Sequence, residues 1–267
     1  MQPLGRVLII AGSDSGGGAG IQADIKTVTA LGGYAATAVT AITVQNTLGV
    51  TGVHPIPLDV VEAQARAVLD DIGADAFKTG MLGDAATVDV VVRILERAPS
   101  IPAVIDPVMV AKGGAALLAA EAVAAVRERL VPHAALLTPN APEAEALTGL
   151  SIACADDLRR AGDALLRAGA RAVLMKGGHV PGERVTDILM TASGETVFEA
   201  ERLDTRHTHG TGCTLASACA AGLAQGRPLT DAVARAWAYV QEAMARAPGF
   251  GRGHGPLDHG WPLREAR

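Results

Sequence analysis

The sequence predicts an α/β fold with a mostly parallel sheet covered by helices on both faces. Two patterns carry this. Short β-branched or apolar runs alternate with helix-like segments almost from end to end, and nearly every run ends in unusual polar or glycine chemistry. Length agrees, since 267 residues that are 49% hydrophobic supply a sizeable core. Aromatics are only 3%, so aliphatic side chains and alanine must fill that core. No linker, internal repeat or low-complexity tract interrupts the alternation, so residues 1–267 read as a single domain.

In chain order, the expected strands are RVLIIAG (6–12), TAVTAITV (37–44), ADAFKTG (74–80), PAVIDP (102–107), AALLTPN (134–140) and RAVLMKG (171–177). Helices are expected between them near 19–31, 58–71, 84–97, 115–130, 141–148 and 155–168. The stretch VTDILMTASGETVFEA (185–200) reads as a hairpin turning at Ser193-Gly194, and helices return near 213–225 and 229–246.

Composition excludes several classes. A net charge of −5 without a Lys/Arg block argues against a nucleic-acid groove. The N-terminal apolar run VLIIAG is too short for a signal core, and no apolar stretch reaches the length of a membrane span. Cys154, Cys213 and Cys219 form no CxxC pair, so neither a disulfide framework nor a zinc site is suggested. A cytoplasmic protein is expected.

The strand ends hold the chemistry. They read Gly12-Ser13-Asp14, Gln45-Asn46, Lys78-Thr79-Gly80, Asp106-Pro107, Thr138-Pro139-Asn140 and Lys176-Gly177. In an open parallel sheet the ligand crevice lies beyond the carboxyl ends of the strands, so these clusters should converge on one edge.

Two nucleotide motifs fail in the glycine-rich SDSGGGAGIQADIKT (13–27). Gly18, Gly20 and Ala23 match a dinucleotide fingerprint by letter, but the second strand ends in Gln45-Asn46, where an acid should hold the ribose. A P-loop needs glycine where Ile25 stands. Four glycines in five residues still suggest backbone that approaches a ligand closely.

RHTHGTGCTLASACAAG (206–222) is more specific. Gly210-Thr211-Gly212 runs into a helix, and the free amides and dipole of a helix start suit an anion. An ordinary glycine-rich helix start is the other reading. Arg206, His207 and His209 either support an anion or are simply solvated. Pro142 suits a first helical turn, and Glu143 is either a dipole-favoured helix start or, with Asp106, a pair of hard oxygens for Mg²⁺. Lys176 is either an exposed strand end or a neutraliser of transferring phosphate.

The segments AGSDSGGGAGIQADIKT, TAITVQNT, KTGM, VIDPVM, LLTPNAPEAEALTG, MKGGH and HGTGCTLASACAAGLAQG occur in order. Together, over residues 5 to about 260, they resemble the hydroxymethylpyrimidine/phosphomethylpyrimidine kinases of thiamine biosynthesis, a branch of the ribokinase-like superfamily. The resemblance implies a three-layer α/β/α fold without a separate β-sheet lid, ATP and Mg²⁺, and a homodimer. It makes Gly210, Thr211 and Gly212 the anion hole, with Cys213 where the superfamily's sugar kinases carry aspartate. Lys176, Asp106 and Thr211 would surround the ATP phosphates, and Asn140, Glu143 and Asp106 would serve the metal. Gly12, Ala19, Gln45, Met81 and Val108 would hold the pyrimidine, and Val108–Gly114 would be a flap. The alternative within the superfamily is a pyridoxal or pyridoxine kinase. A thiol at a helix N-terminus is expected to have a pKa below its usual value of about 8.5, and so to be neutral or ionised as required.

Overall fold

The computed structural model describes residues 4–110, 114, 117–119 and 121–265. The chain runs β1 (Arg6–Asp14), α1 (Gly20–Ala30), β2 (Tyr34–Asn46), β3 (Gly49–Pro55), α2 (Leu58–Asp71), β4 (Ala76–Thr79), α3 (Ala85–Glu96) and β5 (Ala103–Ile105). It continues through α4 (Ala122–Ala125), β6 (Ala134–Leu137), α5 (Ala141–Thr148), α6 (Ala155–Arg167), β7 (Ala172–Met175), β8 (Arg184–Thr191) and β9 (Gly194–Glu201). The last elements are α7 (Thr211–Ala224), α8 (Leu229–Ala245) and α9 (Trp261–Glu265).

The described strands form one nine-stranded sheet in the order β3-β2-β1-β4-β5-β6-β7-β8-β9. From β2 to β7 the pairs are parallel, while β3 at one edge and β8 and β9 at the other pair antiparallel. Alternation along each strand splits the core in two, because successive side chains point to opposite faces. Leu8, Ile10, Phe77 and Ile105 pack with Val61, Val88, Ile94, Leu147 and Leu165 of α2, α3, α5 and α6. Val7, Ile9, Ala76, Val104 and Leu174 pack on the other face with Val28, Leu215, Ala218, Val233 and Val240 of α1, α7 and α8. The layers are therefore helix, sheet, helix.

Three expectations need correction. Strand β3 was not foreseen: its sequence GVTGVHP is half-buried to exposed, so no apolar alternation marks it. The helix expected over 115–130 begins only at Ala122, because Met109 O accepts from both Leu117 N and Leu118 N and commits that backbone to a loop. Residues 115, 116 and 120 of that expectation, and residues 111–113 of the expected flap, lie outside the described residues. Beyond Ala125 the chain winds through a π-helical turn (Val126–Leu130) and a 3₁₀ turn (Val131–His133). Pro132, with no N–H to donate, ends the helical run there. The hairpin after β7 is present, but its turn is Ala192-Ser193, since Gly194 already pairs with Thr191. No helix among the described residues is long and apolar enough to cross a membrane.

Candidate active site

At the carboxyl ends of the parallel strands lies a cavity of about 620 Å³. Its lining includes Gly12, Ala19, Gln45, Met81 and Val108 together with Asp106, Asn140, Glu143, Lys176, Gly210, Thr211, Gly212 and Cys213, every site residue expected from the sequence. The converging strand ends do what parallel βα topology dictates.

One half offers donors suited to an anion. Helix α7 has Gly210 as its N-cap, at φ 86°, with no side chain to satisfy the first-turn amides. A Cβ at Gly210 would stand 1.8 Å from Gly18 O, so the two glycine loops touch backbone to backbone and only glycine fits. Thr211 Oγ1 donates to Thr208 O at 3.1 Å and holds the turn closed. A Cβ at Gly212 would lie 3.2 Å from Lys176 Nζ and 3.6 Å from Asp106 Oδ2, which places both beside the turn.

Lys176 joins the ends of β5 and β7 to the start of α5. Its Nζ stands 3.2 Å from Asp106 Oδ1 and 3.8 Å from Glu143 Oε2. Burial pushes the ammonium pKa down, but the charges of Asp106 and Glu143 outweigh it and the group stays charged. Burial also lifts the Glu143 carboxyl to about 7, against the pull of Lys176. Asn140 and Glu143 form a reciprocal cap at the start of α5: Asn140 Oδ1 accepts from Glu143 N at 2.9 Å, and Glu143 Oε2 accepts from Asn140 N at 2.8 Å. The amide of Asn140 is thus turned to the helix, and it fixes Glu143 beside Lys176.

Among the described residues no group of three or more His, Cys, Asp or Glu is arranged to hold a metal by itself. The two carboxylates nonetheless fit Mg²⁺, which keeps several waters and shares substrate phosphates rather than filling an all-protein cage.

Beneath the anion turn lies a cluster the sequence did not disclose. Lys78 Nζ is 2.8 Å from both oxygens of Asp24, and Ser217 Oγ donates to Asp24 Oδ1 at 2.7 Å. Lys78 and Asp24 have no exposure, yet Lys78 lines the cavity floor. One signal was available: Asp24 is an acid among the buried positions Ala23, Thr27 and Val28 of α1, where an apolar residue belongs.

Cys213 departs from expectation. Burial pushes its thiol up to about 12, and neither nearby Lys78 nor the Gly20 N–H offsets this. Burial in a low-dielectric site disfavours the thiolate more than the helix start favours it. At neutral pH the side chain is an uncharged thiol.

The other half is apolar with polar edges. A Cβ on Gly12 would stand 2.5 Å from Met81 Cε, so glycine there lets Met81 lie across the pocket. Val108, Met109 and Leu117 line the same side. Asp14 and His209, named in the sequence only as parts of polar stretches, also line the cavity and meet at 2.8 Å.

Comparison with known proteins gives one consistent result. A family model described as Phosphomethylpyrimidine kinase matches residues 14–258. A hydroxymethylpyrimidine/phosphomethylpyrimidine kinase from Streptomyces coelicolor is 52% identical over 259 residues, covering 97% of this chain and 96% of that one. Among solved structures, a pyridoxal kinase from Bacillus subtilis in complex with ADP superposes with a TM-score of 0.91 at 37% identity, over 98% of this chain and 99% of that one. A phosphomethylpyrimidine kinase from Clostridium difficile gives 0.80 at 42% identity, over 89% and 98%. With the helix–sheet–helix layers and the strand-end cavity already described, these likenesses make the chain a kinase of ribokinase-like fold that belongs to the phosphomethylpyrimidine kinase family.

Proposed function

We propose that the chain, as one kinase domain, phosphorylates 4-amino-5-hydroxymethyl-2-methylpyrimidine to its monophosphate and then to its diphosphate, for thiamine biosynthesis. ATP is the donor, and the ADP held by the Bacillus subtilis relative supports that assignment. The observation that carries the two-step reading is that a cysteine, Cys213, lines the cavity in the first turn of α7. A carboxylate there would repel a phosphorylated acceptor, whereas a thiol admits both alcohol and phosphate.

Phosphoryl transfer needs the acceptor held in line and the charge on the moving group stabilised. The amides of Gly210–Cys213 and the ammonium of Lys176 supply the stabilising charge. Gly12, Ala19, Met81 and Val108 hold the ring, and the Gln45 amide reads its edge. In a loose transition state the alcohol proton leaves late, so the first step requires no strong base, and the phosphate acceptor of the second step is already anionic. Asp106 and Glu143, the latter aimed by Asn140, would hold Mg²⁺, which supplies further charge neutralisation at the phosphates.

We also infer a homodimer. Ile42, Val44, Leu48 and Val53 are exposed on the β2–β3 edge, and a second copy would cover them. The cytoplasm suits the three free cysteines, which stay reduced there.

A pyridoxal kinase is the second reading, favoured by the 0.91 TM-score of the Bacillus subtilis structure. Coupled ADP release with hydroxymethylpyrimidine, its monophosphate and pyridoxal separates the two. Turnover of both pyrimidines above that of pyridoxal is expected. Turnover of pyridoxal alone would overturn the proposal.

A further inference from the structure

We propose that His209 is a positioning residue for phosphoryl transfer: through the buried carboxylate of Asp14 it fixes the anion turn against the wall that holds the acceptor. The inference rests on the kinase reading of this cavity and assigns a role to a pair that the reading leaves unused.

Asp14 is 1% exposed and all of its hydrogen-bonding capacity is directed at the two loops. Its Oδ2 accepts from Gly18 N at 3.0 Å and Ala19 N at 2.8 Å, and its Oδ1 accepts from Gly16 N at 2.8 Å. These partners belong to the glycine loop, and one of them, Ala19, is a member of the acceptor wall. The remaining partner comes from the other half of the site: His209 Nε2 lies 2.8 Å from Asp14 Oδ2, and since a carboxylate only accepts, that nitrogen carries the proton. His209 immediately precedes Gly210, whose backbone packs directly on Gly18. One carboxylate therefore ties the loop that faces the acceptor to the turn that faces the phosphoryl group.

The chemistry makes that junction consequential. Transfer requires reacting atoms about 3–3.5 Å apart and aligned, and a displacement of about 1 Å lowers the rate about a hundredfold. A side chain that only stabilised the fold would, when removed, change stability and leave the relation between KM and kcat alone.

The test uses the full chain with ATP and hydroxymethylpyrimidine, comparing wild type, His209→Ala and His209→Gln, whose amide can still donate to Asp14. His209→Ala is expected to lower kcat about a hundredfold with the pyrimidine KM changed less than about threefold. His209→Gln is expected to recover at least about tenfold of that loss. A kcat for His209→Ala within about twofold of wild type overturns the proposal, as does a glutamine variant no better than alanine. Inactive wild type in the same assay would instead refute the kinase reading itself. Should the alanine variant not fold, ¹⁵N-histidine spectra of wild type decide: hydroxymethylpyrimidine added without nucleotide must shift the His209 signals, and unmoved signals overturn the proposal.

Discussion

Lys78 and Asp24 form a fully buried ion pair, with Nζ 2.8 Å from each carboxylate oxygen, between β4 and α1. Burial drives the Asp24 carboxyl up, and the pull of Lys78 only partly offsets this; burial also drives the Lys78 ammonium down, but attraction to Asp24 outweighs it and holds the group above its ordinary value. Such a pair adds little net stability over apolar residues of the same volume, whereas removing one partner strands a buried charge. Its place under the anion turn, near Cys213, is what a catalytic cation would need.

Single variants Lys78→Met and Asp24→Asn should each lose about 3–5 kcal/mol in urea unfolding. The double variant Lys78→Met with Asp24→Leu should recover most of that stability yet remain slow in ADP release. A double variant with wild-type kcat would show that the pair does nothing for the reaction.

Lys176→Ala should lower kcat by about a hundredfold or more and move the pyrimidine KM by less than about threefold. Charge on the transferring phosphoryl group is stabilised chiefly in the transition state. If steady-state kinetics show an unchanged kcat, Lys176 serves only its ion pairs with Asp106 and Glu143.

Cys213→Asp should discriminate between the two steps. An ionised carboxylate about 4 Å from a phosphate repels it by about 4 kcal/mol per charge pair at an effective dielectric near 20. The ratio of kcat/KM for the monophosphate to kcat/KM for the alcohol should therefore fall at least about a hundredfold. Equal loss in both steps would mean that position 213 matters for shape alone.

Acid should expose the Asp14 hub. Burial pushes this carboxyl up, but hydrogen bonds from His209, Gln45 and Ala19 N–H prevail and hold it at about 2, below its ordinary 3.8. A depressed carboxyl stabilises the fold above its unfolded pKa, and that contribution is lost as pH falls through about 4 towards 2. At about 1.4 kcal/mol per unit the contribution is about 2 kcal/mol. Urea unfolding of wild type and Asp14→Asn should differ at pH 6 and converge towards pH 2.5; a difference constant with pH would refute it.

Much of this was legible in the sequence because it is written locally. Continuous apolar runs such as RVLIIAG and the helix patterns between them point to the parallel α/β core, and the strand-end residues Lys176, Asp106 and Gln45 point to the edge that carries the cavity. Gly210-Thr211-Gly212 ahead of a small-residue helix predicts a glycine-capped helix start with free amides, since both the conformation and the amides belong to that segment. Strand β3 was not legible, because an edge strand without a buried face leaves no apolar alternation to read. Nor were the pairings. Asp24 meets Lys78 across 54 residues and Ser217 across 193, and Asp14 meets His209 across 195. The protonation of Cys213 depended on tertiary structure in the same way. A helix start by itself lowers a thiol pKa, but burial in the folded cavity pushes that of Cys213 up to about 12. Backbone preference and hydrophobic period are properties of neighbours in sequence. Charge partners and desolvation are properties of neighbours in space, and only the folded sheet brings those together.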